Sequence, residues 1–231
     1  MSIEIKISLI MNQNSYPGRE YLNSLKNSNI KVDVLCIGRF PKRNRIEDQR
    51  CGNLWKPKSQ EFLCKYHDFY SFDSLKSKRL IDFLNHKKYD IGIQGGTGII
   101  SDSLIKKFNL GILNFHPGLL PKYRGCSAPE WQIYEGQKIY STCHIIDKDI
   151  DTGDIIEIKE LKPSKYSYHE FRGSIYIETS KFVVKIIKEI ISNKGFKKTP
   201  YKQNENDARY LSYIGEEKIN IIKKIFKKNE E

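Results

Sequence analysis

Two short stretches of this sequence hold the side chains best suited to move a proton or steady an oxyanion. Asn114-Phe115-His116-Pro117 ends an apolar run, Gly111 to Phe115, and continues through Gly118, Leu119, Leu120, Pro121, Lys122, Tyr123, Arg124 and Gly125. Residues two apart in a strand point the same way, so Asn114 and His116 can reach one reacting atom together. In a second run, Ile139 to Ile146, Thr142 and His144 share a face opposite Cys143, and the chain then enters Asp147-Lys148-Asp149-Ile150-Asp151-Thr152-Gly153-Asp154. An amide, an imidazole and the Asp151 carboxylate around one point suit acyl transfer to an amine. A donor steadies the tetrahedral oxyanion while an acid/base pair moves the amine's proton. Each residue also has a plain structural reading. A histidine at a strand end often satisfies a loop, and an aspartate before a glycine turn often hydrogen-bonds its own backbone.

The surrounding pattern supplies elements to position these groups. Ile3 to Met11 reads as a strand, Pro17 opens a helix carrying Tyr21, Leu22 and Leu25, and Val32 to Ile37 reads as a second strand. Asp73 is placed to cap a helix through Leu75, Leu80, Ile81, Phe83 and Leu84. The run Ile91 to Ile93 closes on Gly95-Gly96, and Ser101 caps a short helix before the strand Gly111 to Phe115. Pro129 and Gly136 bracket another short helix. Ile139 to Ile146 and Asp154 to Leu161 are two more strands, Phe171 to Ile191 is a long amphipathic helix, and residues 215–228 form a last helix for packing or dimerisation. Alternating strands and helices predict an α/β, mainly parallel sheet covered on both faces, with a short C-terminal appendage. Polar groups at the carboxyl end of such a strand face a crevice.

Composition excludes several classes. At 231 residues, with 39% hydrophobic and 12% aromatic side chains, the chain is globular rather than disordered. The sequence carries neither the apolar length of a membrane span nor a signal peptide, and its five irregularly spaced cysteines do not form a disulfide framework. A cytoplasmic location without membrane partners is expected. The net charge of +12 is mostly diffuse, which argues against a continuous nucleic-acid track. Its one concentration is Lys42, Arg43, Arg45, Arg50, Lys56 and Lys58, facing only Glu47 and Asp48. Cys51, Cys64 and His67 lack the spacing and fourth ligand of a zinc module, so no metal is expected. His67, His86 and His169 are expected at surfaces or helix ends.

The stretch from Leu110 to Ile156 resembles the signature of the folate-dependent formyltransferase family: NFHPGLLPKYRG, then a proline with PEW, YEG, TCH and DIDTGDII. Weaker resemblance runs from about Tyr89 to Lys194. It implies a Rossmann-like fold, a catalytic domain over residues 1–195 with a C-terminal extension over 196–231, N10-formyltetrahydrofolate as formyl donor, and no metal. Asn114, His116 and Asp151 fall on the family's catalytic positions, with Thr142 and His144 on supporting ones. Gly98, Ile99 and Ile100, and Asp147, Lys148, Asp149 and Ile150, fall on loops that clasp the pterin. Gly95, Gly96, Thr97 and Gly118, with Cys126 and Glu130-Trp131, look most like the sugar N-formyltransferases, which act on nucleotide-linked 4-amino-4,6-dideoxy sugars for surface polysaccharides. In that reading Lys122, Arg124 or the basic stretch 42–58 holds the pyrophosphate, Trp55 or Tyr16 stacks on the base, and the protein is a homodimer. The family's methionyl-tRNA and glycinamide ribonucleotide enzymes are the alternatives. Asn12 to Tyr16 lacks the latter's glycine- and serine-rich phosphate loop, and the residues after the long helix do not read as the former's C-terminal β-barrel.

Overall fold

The computed structural model describes residues 5–38 and 49–227. Strand β1 (Ile7–Asn12) leads into helix α1 (Tyr16–Asn27), whose first turn holds Pro17 and whose N-cap is Ser15. The Ser15 hydroxyl accepts from the Gly18 N–H at 3.4 Å and donates to the Gly95 carbonyl at 2.6 Å. Strand β2 (Asp33–Ile37) follows, then a single turn α2 (Gln60–Leu63), β3 (Asp68–Phe72), α3 (Lys78–Lys87) and β4 (Ile91–Gln94). After α4 (Asp102–Ile105) come β5 (Ile112–His116), the two-residue β6 (Arg124–Gly125) and α5 (Ala128–Tyr134). The hairpin strands β7 (Tyr140–Ile145) and β8 (Ile155–Glu160) precede the long α6 (Tyr168–Asn193), then β9 (Tyr210–Leu211) and α7 (Glu216–Lys227).

Seven strands form one sheet in the order β3-β2-β1-β4-β5-β7-β8. The first five are parallel, whereas β5–β7 and β7–β8 are antiparallel. Alternation along each strand splits the core. Leu9, Met11, Val34 and Cys36 pack beneath α1 and α6 with Leu22, Leu25, Phe182 and Ile187. Ile10, Leu35 and Ile37 face the other way, against Leu80 and Leu84 of α3 and Leu104 and Phe108. This is a Rossmann-like α/β fold with helices on both faces.

The structure departs from the sequence reading in several places. Residues 60–72 supply α2 and an additional edge strand, β3; its faces are only partly buried, so its alternation is weak. Helix α3 is preceded by Ser77 rather than capped by Asp73. The C-terminal extension packs, as its apolar face predicts: β9 pairs with β6, and α7 buries Ile219, Ile222 and Phe226 over Phe171 and Ile175. His67 lies in the core rather than at a surface. No helix among the described residues is long and apolar enough to cross a membrane.

His67 uses both ring nitrogens while neutral. Nδ1 accepts from the Val32 N–H at 3.3 Å, and Nε2 donates to the Leu22 carbonyl at 2.9 Å. Burial pushes its pKa below the ordinary 6.5, so the unfolded chain takes up this proton more readily than the folded one. The associated stability is present above the unfolded pKa and is lost as pH falls through the folded value. His67→Gln keeps one acceptor and one donor without titrating. Urea unfolding from about pH 7 to about pH 5 is expected to show a steeper loss of stability in the parent than in this variant; identical slopes would contradict it.

Candidate active site

The antiparallel register of β5 and β7 sets Asn114 opposite His144 and His116 opposite Thr142. Directly paired residues share a face, so the four polar side chains lie together on one side, His116, Thr142 and His144 buried, while Leu113, Phe115 and Cys143 join the core on the other. Thr142 fixes the exit of β5. Its hydroxyl donates to the Gly118 carbonyl at 2.6 Å and accepts from the Leu120 N–H at 3.1 Å. Ser141 donates to the His116 carbonyl at 3.0 Å.

Asp151 reaches the group from the β7–β8 loop. Its Oδ2 lies 3.3 Å from His116 Nδ1 and accepts from the Gly125 N–H at 2.9 Å, while Oδ1 accepts from Asn114 Nδ2 at 3.3 Å. The backbone at Asp151 is left-handed, φ 56°, a conformation aspartate tolerates better than most residues. The loop is drawn tight against β7, for a Cβ at Gly153 would stand 1.7 Å from the Ile145 carbonyl oxygen. Only glycine fits there.

Electrostatics link the three groups. His144 Nδ1 lies 3.1 Å from the Ile145 carbonyl, which can only accept, so Nδ1 carries the hydrogen. In a neutral ring His144 Nε2 is then left to accept from Asn114 Nδ2 at 3.1 Å. His116 Nε2 lies 2.6 Å from the Tyr123 carbonyl, with its other nitrogen facing Asp151. A neutral ring satisfies one of these acceptors and a charged ring both. Burial pushes the His116 pKa down, and the Asp151 carboxylate opposes that shift. Burial alone would raise Asp151, yet His116, His144 and the Gly125 N–H together hold it well below the usual carboxylate range.

Two cavities meet at these residues. The first, about 560 Å³, has Gly98, Ile99 and Ile100 on one side, residues 147–150 on another, and Asn114, His144 and Asp151 within. The second, about 260 Å³, is lined by His116, Gly96, Ser127, Arg50, Arg172 and Tyr176 among others. Asn114, Gln94 and Thr97 border both. Gln94 is absent from the sequence reading, since one glutamine at a strand end gives no signal. Tyr210 of β9, which lines the first cavity, falls in a segment whose pattern was too irregular to read.

Other expected ligand-binding residues lie elsewhere. Gly95 is buried, with its carbonyl held by Ser15. Gly118 makes room for its neighbours: a Cβ there would stand 2.7 Å from His116 Nε2 and 2.8 Å from the Ala128 Cβ. Lys122 lies over the Tyr123 ring and borders neither cavity. Arg124 cannot hold phosphate, because it is fully buried and all five of its N–H donors go to Gln203, Glu205 and Tyr210. Of the basic stretch, Arg50 lines the second cavity and Lys56 and Lys58 are exposed, while Lys42, Arg43 and Arg45 lie outside the described residues. Tyr16, Trp55 and Tyr176 pack on one another, with Trp55 and Tyr176 stacked at 5.6 Å. Among the described residues no group of three or more His, Cys, Asp or Glu side chains is placed to hold a metal ion.

The profile of the formyl transferase family matches residues 5–166. The chain belongs to the formyl transferase family. It is 30% identical over 154 residues to the methionyl-tRNA formyltransferase of Orientia tsutsugamushi (strain Boryong), covering 65% of this chain and 49% of that protein. It is 37% identical over 112 residues to the bifunctional polymyxin resistance protein ArnA of Wigglesworthia glossinidia brevipalpis, covering 45% of this chain and 17% of that protein. The chain thus spans about half the length, or less, of these curated relatives. Among solved structures, a 4-N formyltransferase from Francisella tularensis superposes with a TM-score of 0.58 at 23% identity, covering 91% of this chain and 76% of that one. An N-formyltransferase from Helicobacter canadensis, in complex with folinic acid and dTDP-3-aminofucose, gives a TM-score of 0.61 at 21% identity, covering 90% and 71%. At these identities the superpositions establish the shared fold.

Replacing Asp151 by Asn leaves His116 buried but removes its counter-charge. The His116 pKa is therefore expected to fall below its already lowered parent value. Titration of the imidazole C–H resonances by NMR reads this directly, and an unchanged or raised pKa would show that Asp151 does not govern the ring.

Proposed function

We propose that this chain transfers a formyl group from N10-formyltetrahydrofolate to the amine of a nucleotide-linked 4-amino-4,6-dideoxy sugar, for surface polysaccharide synthesis. The observation that carries the reading is the placement of Asn114, with His116 and Asp151 in contact, where the two cavities adjoin. One cavity takes the donor and the other the acceptor, so that their reacting atoms meet at these three side chains.

The first cavity fits a reduced folate. Ile99, Ile100, Ile146 and Ile150 offer an apolar surface for a flat bicyclic ring, and the adjoining backbone of residues 147–150 can meet its polar edge. When bound, the formyl folate supplies a carbonyl carbon attached to a nitrogen that can leave. Asn114 donates to the oxygen on which charge gathers, exchanging its longer contact, 3.3 Å to Asp151, for that oxyanion. On attack the amine nitrogen would bond to the formyl carbon while that carbon's bond to the folate nitrogen breaks, and the proton the amine loses would pass to the departing nitrogen by way of the Asp151–His116 pair. His116 faces Asp151 through Nδ1 and is anchored by the Tyr123 carbonyl through Nε2. It therefore acts chiefly on the carboxylate, balancing its charge, rather than by donating directly to the oxyanion. Gly98, Ile99, Ile100, Asp147, Lys148, Asp149 and Ile150 clasp the donor. The acceptor side has Gly96, Thr97 and Ser127 beside Arg50 and beside Arg172, which is paired with Glu130 at 3.2 Å, a polar wall suited to a small hydroxylated ligand. The family likeness of the Gly95-Gly96-Thr97-Gly98 and Glu130-Trp131 segments favours the sugar acceptor.

A second reading, formylation of methionyl-tRNA, is favoured by the sequence identity to the Orientia tsutsugamushi enzyme. Incubation with N10-formyltetrahydrofolate and separate acceptors decides between them: several nucleotide-linked 4-amino sugars, methionyl-tRNA and glycinamide ribonucleotide. Formyl transfer to an amino sugar is expected; transfer to the tRNA or the ribonucleotide alone would overturn the choice of acceptor. Asn114→Ala, His116→Ala and Asp151→Ala are each expected to lower kcat by about a hundredfold to a thousandfold with the fold retained. Near-parental turnover in any one of them would remove that residue from the mechanism.

A further inference from the structure

Asp151 and its turn are contacted by a segment far away in the sequence. The amide nitrogen of Gln203 donates to the Asp151 carbonyl at 2.9 Å and to the Gly153 carbonyl at 2.8 Å. The Gln203 oxygen accepts from Arg124 Nε at 3.1 Å and Nη2 at 2.8 Å. Two carbonyls on one side and a guanidinium on the other fix which end of the amide is which. Arg124 is fully buried and holds Glu205 and Tyr210 with its remaining donors. The next residue, Gly125, donates its N–H to the Asp151 carboxylate at 2.9 Å. These contacts close a ring, Gly125–Asp151–Gln203–Arg124, that grips Asp151 at once by its backbone and its side chain.

We infer that Gln203 is a positioning residue for formyl transfer: oriented by Arg124, it holds the turn at Asp151 and Gly153 and so sets the distance from the carboxylate to His116. Two carbonyls of one tight loop turned to the same side need donors, and the Asp151 and Gly153 carbonyls find theirs in Gln203. Both N–H groups of one amide satisfy both carbonyls, and the adjacent β6–β9 pairing ties the donor's own segment down. The inference rests on the reading of Asn114, His116 and Asp151 as the transfer site. It adds residues 203–210 to the catalytic unit, beyond the span the family profile matches.

Gln203→Glu separates positioning from folding. A carboxylate still accepts from Arg124 but has no hydrogen for the two carbonyls; Gln203→Ala is the companion variant. The His116 ring reports on Asp151. The charged and titratable groups about it are Asp151 and His144, with the Tyr123 carbonyl on Nε2, and Arg50 and Arg172 line the cavity it borders. Gln203→Glu is expected to melt within about 3 °C of the parent and to lose about tenfold or more in kcat, with KM for both substrates moving less than about threefold. By NMR its His116 pKa is expected to fall, in the direction of Asp151→Asn, and to fall likewise in Gln203→Ala, which adds no charge. Folded variants with parental kcat and parental titration would overturn the inference, as would a kcat loss without any His116 shift. A parent that formylates none of the acceptors, together with a lowered His116 pKa in Gln203→Glu, would sink the proposed function and leave the positioning role standing.

Discussion

The antiparallel pairing of β5 with β7 is the constraint on which the site depends. In the parallel part of the sheet, neighbouring strands present their carboxyl ends together, so only end residues face the crevice. Reversing one strand lets residues in mid-strand pair directly. Asn114 with His144 and His116 with Thr142 then occupy one face in two adjacent steps. A slip of one residue in β5 would turn Asn114 and His116 to the opposite face and bring Leu113 and Phe115 to theirs, and a slip in β7 would do the same to Thr142 and His144 with Cys143. The burial of those three apolar side chains therefore enforces the register that the polar ones need.

The carboxylate is held by a second, independent device. It enters from a loop whose shape depends on close backbone approach at Gly153 and a left-handed turn at Asp151. Sheet and loop are linked through β6, since Gly125 touches the carboxylate and Arg124 carries the C-terminal contacts. The hairpin provides direction and the loop provides charge. Burial then makes the interaction strong: it penalises a charged His116, but the adjacent carboxylate compensates in a place where water screens little.

Much of this was legible in the sequence because it obeys short periods. The i, i+2 spacing of Asn114 and His116, and of Thr142 and His144, gives their faces without any knowledge of pairing. Pro17 marks the start of α1, and Pro129 and Gly136 bracket α5, almost to the residue. What was not legible depends on long-range partners. Strand β3 is half-exposed at the sheet edge and lacks a clean alternation. Arg124, in a basic motif beside glycine, reads as a phosphate ligand, and only its burial against Gln203, Glu205 and Tyr210 shows otherwise. His67 reads as a surface residue because nothing local announces the Val32 and Leu22 backbone groups that complete it. Gln203 has no signature of its own, for its partners lie roughly fifty and eighty residues away.

The central claim is that a donated carbon comes to rest at the junction of the two cavities, against Asn114. A crystal structure of the protein soaked with folinic acid, a stable formyl folate, tests it most directly. The account predicts the bicyclic ring against Ile99, Ile100 and Ile146, and the edge bearing the transferable group turned toward Asn114, with a polar atom within about 3 Å of its amide. A folate bound outside this cavity, or one whose reactive edge points away from Asn114 and Asp151, would contradict it.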